Sequence, residues 1–252
     1  MKRWFSLCLC VVLVSLLACA CQVREPSPQE TLSFPGRAWG MSPEEALASL
    51  SVDGAGVQEQ DSGSTRSIQY RPEEPLFGFT PEFVRLNFAV SGSDQALTDV
   101  LMVYSGATGE RIKTLRDNLS SQYGPLKNHV VLGVTYGPAP SSAPSLDSFQ
   151  NLDSYDRFYW ISSQTYGDLL TPETSAAYQK LLSENGRVKS YWDTQAYWDL
   201  YTEFTPVAHI ELEGGYNDYY HQYPDGACLI HFSAREYVTL GLEAGQMGPS
   251  VP

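Results

Sequence analysis

Over Glu82–Val90, apolar Val84, Leu86, Phe88 and Val90 alternate with polar Arg85 and Asn87. A period of two belongs to a strand with one face buried and the other wet, because successive side chains leave a strand on opposite sides. Ser91-Gly92-Ser93-Asp94 then supplies a turn, and Leu97–Tyr104 returns as a second strand, so this stretch predicts a β-hairpin. A chain built around such a hairpin needs something apolar to cover one face of it. With 42% hydrophobic, 12% aromatic and 18% charged residues, the chain has enough apolar material to do so.

Helices are expected where caps and breakers bracket a 3.6-residue period. In Ser42-Pro43-Glu44-Glu45, Ser42 caps, Pro43 fits the first helical position and Glu45 completes a capping box, with the helix running to about Leu50. Ile112, Leu115, Leu119 and Tyr123 recur at helical spacing until Gly124-Pro125 stops them, and Thr171-Pro172-Glu173 opens a helix that Asn185-Gly186 ends. His129–Tyr136 reads as a strand with Phe158–Ser162 as its partner, and Val207–Glu213 and Ala227–Ala234 read as the last two strands. Tyr191–Thr205 is aromatic and fits neither period. Strand pairs interrupted by helices predict an α+β fold with a mainly antiparallel sheet and short helices packed on it.

The N-terminus addresses the chain. Lys2 and Arg3 precede an apolar run from Phe5 to Ala20, the plan of a secretory signal over residues 1–18. As a helix that run covers about 24 Å, short of the roughly 30 Å of a bilayer core. Leu16-Leu17-Ala18-Cys19 resembles the lipobox of bacterial lipoproteins, with an aliphatic residue three before the cysteine and a small one just before it. That resemblance implies cleavage before Cys19, a covalent diacylglycerol anchor on its thiol and acylation of the new amine. Cys21 is the alternative site, with Ala18 at the aliphatic position. Two or three acyl chains are what stable anchoring requires.

Residues 19–36, with Pro26, Pro28 and Pro35, then read as a lipidated cysteine and tether. The globular domain spans 37–240, with a Pro- and Ser-rich insertion at 137–156 and a polar tail at 241–252. Past the anchor region only Cys228 remains, so no disulfide framework is available and its place on an apolar strand face reads as core. A net charge of −13 and only five lysines argue against nucleic acid and against a basic membrane-binding face. The expected location is the extracytoplasmic side of a bacterial membrane, with a protein or cell-wall partner.

The segment Arg37-Ala38-Trp39-Gly40-Met41-Ser42-Pro43-Glu44-Glu45-Ala46-Leu47 is similar to the helix opening of small outer-membrane-assembly lipoproteins and related β-lactamase-inhibitor-like modules. The Leu-Gly-x-Pro that often follows there is replaced by Ser49–Ala55. This resemblance implies a binding or scaffold module with helices packed on an antiparallel sheet, rather than an enzyme.

Two constellations bear chemistry. Alternation sets His209, Glu211 and Glu213 opposite Ala208, Ile210 and Leu212, and sets Leu229 and His231 opposite Cys228, Ile230 and Phe232. If Glu213 pairs with Ala227, His209 faces His231 with Glu211 one step along, a donor set that zinc or iron would accept, and the alternative function is then a metal-dependent enzyme using these three residues. Ordinary solvent-side histidines are the plainer reading. The second is Tyr216, Tyr219, Tyr220 and Tyr223, between Gly214-Gly215 and Pro224-Asp225-Gly226, where exposed rings among Asp and Asn suit sugar. For the other aromatics between Tyr155 and Tyr223, core packing is the default. No nucleophile elbow, phosphate loop, dinucleotide fingerprint or His-Glu-x-x-His motif occurs, and no cofactor is expected beyond the lipid.

Overall fold

In a computed structural model, residues 31–48, 50, 56–126, 129–131, 134–136, 156–184, 195–215 and 226–245 are described. Their strands are β1 (Gln58–Asp61), β2 (Thr65–Tyr70), β3 (Phe83–Ser91), β4 (Asp94–Ser105), β5 (His129–Val131), β6 (Val134–Tyr136), β7 (Asp156–Ile161), β8 (His209–Gly215) and β9 (Ala227–Ser233). The helices are α1 (Pro43–Ala48), α2 (Gly109–Tyr123), α3 (Tyr166–Leu169), α4 (Pro172–Glu184), α5 (Gln195–Phe204) and α6 (Arg235–Glu243). Seven strands form one antiparallel sheet in the order β1-β2-β3-β4-β9-β8-β7, so the fold is α+β as the alternation predicts. Two meanders, β1 to β4 and β7 to β9, are zipped together by the pairing of β4 with β9. No helix among the described residues is long and apolar enough to cross a membrane.

The two faces of this sheet differ, although the second carries a small apolar cluster of its own, Val103, Ala227 and Leu229 with Phe83 and Leu101 against them. One cross-strand row reads Tyr70, Val84, Met102, Ile230, Leu212, Phe158, every one of them buried. The adjacent row, on the other face, reads Gln69, Arg85, Leu101, His231, Glu211, Tyr159. Period-two alternation within each strand becomes an apolar side and a more polar side only because the registers agree from strand to strand.

The apolar side is covered first by α2, whose Ile112, Leu115, Leu119 and Tyr123 are buried. Thr108 caps this helix by accepting from the Arg111 amide at 3.2 Å, and Gly124 ends it at φ +86°, a conformation that favours glycine. Gly214 of β8 faces Ile112 so closely that a β-carbon there would collide with it. Phe232 gathers the rest: Phe34 meets it edge-on at 5.7 Å, Tyr123 at 5.5 Å, and Phe77 stacks on it at 6.0 Å. The capping box of α1 is present, with the Ser42 amide donating to Glu45 Oε2 at 2.8 Å and the Glu45 amide to Ser42 Oγ at 3.3 Å.

Four expectations need correction. The segment assigned to the tether through Gly36 joins the core from Thr31, because Leu32 and Phe34 are buried and Trp39 Nε1 donates to the Thr31 carbonyl at 3.1 Å. His129–Tyr136 is a small hairpin, β5 with β6, and β7 pairs with β8 instead. Gln195–Phe204, left unassigned by period, is helix α5, held by Trp198 and Tyr201 facing inward. The domain does not stop at residue 240: α6 runs to Glu243 and buries Gly241 and Leu242. β1, β2 and α6 are elements the sequence pattern does not announce. The 137–155 part of the expected insertion lies outside the described residues.

Candidate functional site

The apolar run of β4, Leu97 to Tyr104, contains one acid, Asp99, and its side chain is fully buried. A carboxylate there costs several kcal/mol unless donors replace its water. Four do. Oδ1 accepts from Ser233 Oγ at 2.7 Å and faces His231 Nε2 at 3.1 Å, while Oδ2 accepts from Thr98 Oγ1 at 2.7 Å and Arg235 Nε at 2.8 Å. Burial pushes this carboxyl up, but the bonds and charges of His231, Arg235 and Ser233 outweigh it and hold Asp99 at about 2. Asp99 is therefore ionised at neutral pH and fixes three side chains from the end of β9 and the start of α6.

His209 and His231 do share the polar face, as alternation requires. Their register differs from the expected one by two residues: His209 lies opposite Ser233, and Glu211 lies opposite His231. The two imidazoles are diagonal neighbours, edge to face at 6.3 Å between centroids. Burial, then the neighbouring His231, pull His209 down to about 4 against the opposing charge of Asp99, so its ring is neutral at neutral pH. Glu211 accepts a hydrogen bond from Tyr159 OH at 2.9 Å. Among the described residues, no group of three or more His, Cys, Asp or Glu side chains converges as a metal-ligand set. Ser233 Oγ donates to Asp99, and the same Asp99 oxygen faces His231, so the three do not form a relay that would deprotonate the serine.

Beside this network opens a cleft of about 340 Å³ lined by Tyr166, Pro206, Val207, His209, Ser233, Ala234, Arg235, Glu236 and Thr239. Its apolar wall comes from the antiparallel bridge of Thr165 with Pro206, which aligns the start of α3 with the end of α5. Behind it lies an aromatic cluster: Tyr166 meets Tyr201 edge-on at 5.6 Å and Tyr237 at 5.2 Å, and Trp198 stacks on Tyr201 at 5.7 Å. These rings are core, the default for the aromatic-rich half. Cys228 is fully buried on the apolar face, its thiol pushed up to about 12 by burial.

Cys19, Cys21, Tyr216, Tyr219, Tyr220 and Tyr223 lie outside the described residues. Sequence reasoning missed Asp99, Ser233, Arg235 and Glu236. One signal was present: an acid inside an eight-residue apolar strand almost never stays buried without a partner. No family model matches the chain, and no curated protein and no solved structure is significantly similar to it.

Proposed function

We propose that this chain is an exported bacterial lipoprotein, acylated at Cys19 and facing the extracytoplasmic side of the membrane, whose α+β domain binds a partner without catalysing a reaction. The observation that carries the binding reading is the Asp99 cluster. His231, Ser233 and Arg235 all spend hydrogen bonds on one buried carboxylate, which makes a rigid, pre-formed cleft wall instead of a set of groups poised to move protons. The similarity of residues 37–47 to the outer-membrane-assembly lipoproteins points the same way.

The anchor reading rests on Leu16-Leu17-Ala18-Cys19 at the end of the apolar run. The first buried hydrophobic residue among the described ones is Leu32, thirteen residues after Cys19, a length that spans at most about 45 Å. Lipid attachment then holds the domain at the membrane while its acidic surface needs no lipid contact of its own.

Two measurements test this. Labelling cells with palmitate and sequencing the mature N-terminus by mass spectrometry should place lipid on Cys19 and lose it in Cys19→Ala; label persisting there and vanishing in Cys21→Ala would move the site. Crosslinking the anchored protein in its native membrane should recover a stoichiometric protein or cell-wall partner. Recovery of nothing would sink the binding reading, and recovery of glycan that depends on Tyr219 and Tyr220 would place the binding role in the Tyr216–Tyr223 segment.

A further inference from the structure

The first turn of α6 carries two opposite charges at the cleft, Arg235 and Glu236, and they are not paired with each other. Each is held from a different side. Arg235 is fixed through Nε by Asp99 of β4, leaving both Nη groups without a partner among the described residues, on a side chain 60% exposed. Glu236 is fixed by α5, accepting from Tyr201 OH at 2.9 Å, and has no cationic partner among the described residues. Adjacent helical residues point about 100° apart, and these two are each turned to a different partner, Arg235 to Asp99 and Glu236 to Tyr201.

From this geometry, and resting on the reading of the domain as a binding module, we infer that the cleft takes a small zwitterion of the amino-acid or short-peptide class. The ligand's carboxylate lies against the Arg235 Nη groups and its ammonium against the Glu236 carboxylate. A planar guanidinium presents two parallel donors to a carboxylate, and its orientation is fixed before the ligand arrives. Pro206, Val207 and Ala234 form an apolar wall for the ligand's body, and a space of about 340 Å³ admits a single amino acid or a dipeptide. A simple anion leaves the Glu236 carboxylate without a counter-charge, and a simple cation leaves the Arg235 Nη donors without an acceptor.

The test uses the full-length protein in detergent, titrated with L-alanine, glycylglycine, acetate and methylammonium at constant ionic strength, with binding read by calorimetry. Saturable binding of alanine or glycylglycine, with acetate and methylammonium weaker by about tenfold or more, is expected. Arg235→Lys keeps the charge that Asp99 needs but loses the planar fork, and Glu236→Gln removes the ammonium's counter-charge; each should weaken the zwitterion about tenfold or more in a protein that still melts cooperatively. Thr239→Trp should block binding by filling the cleft without touching either charge. Acetate binding as tightly as the zwitterions, or zwitterion binding unchanged in all three variants, would overturn the inference. If crosslinking recovers a partner while no zwitterion binds, the binding-module reading stands and this inference falls; if neither is seen, both fall.

Discussion

His231 Nε2 lies 3.1 Å from Asp99 Oδ1, a contact that joins β9 to β4 across 132 residues of chain. The same carboxylate holds Ser233 and Arg235, so one buried acid ties the two meanders together and sets the cleft wall. Asp99→Asn keeps the volume but removes the charge that His231 and Arg235 face. The expected loss is about 3 kcal/mol of unfolding free energy by urea titration, the range for breaking a buried pair from one side. A loss below about 0.5 kcal/mol, the scale of an ordinary surface substitution, would mean the network is not structural.

Acid should destabilise the protein in two steps. The ordinary pKa of His209 is 6.5 and it falls to about 4 in the fold, so between those values the unfolded chain takes up a proton that the folded one refuses. The contribution of His209 is constant above pH 6.5 and falls by up to about 3 kcal/mol as pH falls to 4. Asp99, lowered from 3.8 to about 2, contributes stability that is whole above pH 3.8 and lost as pH falls to 2. Denaturation curves across this range should show that His209→Gln flattens the first step and leaves the second. A first step unchanged in that variant would assign it to another group.

Gly214 marks where α2 sits down on the sheet. A β-carbon at this position collides with Ile112, so Gly214→Ala should cost about 1–3 kcal/mol by overpacking. Adding Ile112→Val, which trims the opposing side chain, should recover part of that loss in a double-mutant cycle. Strict additivity of the two substitutions would show that the contact does not set the spacing of α2 and β8.

Cys228 should resist chemistry until the protein unfolds. It is buried on the apolar face opposite Tyr104 of β4, and burial pushes its thiol up to about 12, so almost no thiolate exists at neutral pH. Iodoacetamide at pH 7.5 should leave it unmodified in the native protein and label it in urea. Rapid labelling without denaturant would contradict its place in the core.

Much of this architecture was written locally. The alternation of Val84, Leu86 and Phe88 sufficed for β3, the Ser42 and Glu45 pair for the start of α1, Gly124 for the end of α2, and the inward and outward faces of β8 and β9 followed from period two. Each of these is decided by a few neighbouring residues and the geometry of one element. The pairing of His209 was not, because sliding β9 by two residues leaves every side chain on its expected face and the pattern cannot tell the two registers apart. Helix α6 and the burial of Leu32 and Phe34 escaped for a related reason: their apolar residues gain their meaning only from Phe232 and from β3 and β4, which lie far along the chain.

What the sequence determined by itself is the net negative charge, the α+β class and which side of each strand is wet. What only the tertiary structure decided is the site. Asp99, Ser233, Arg235 and Glu236 come from segments that no local pattern links, and they meet because β4 pairs with β9. A buried carboxylate must find its donors wherever the fold brings them, and here it found them at the turn from β9 into α6, beside the cleft.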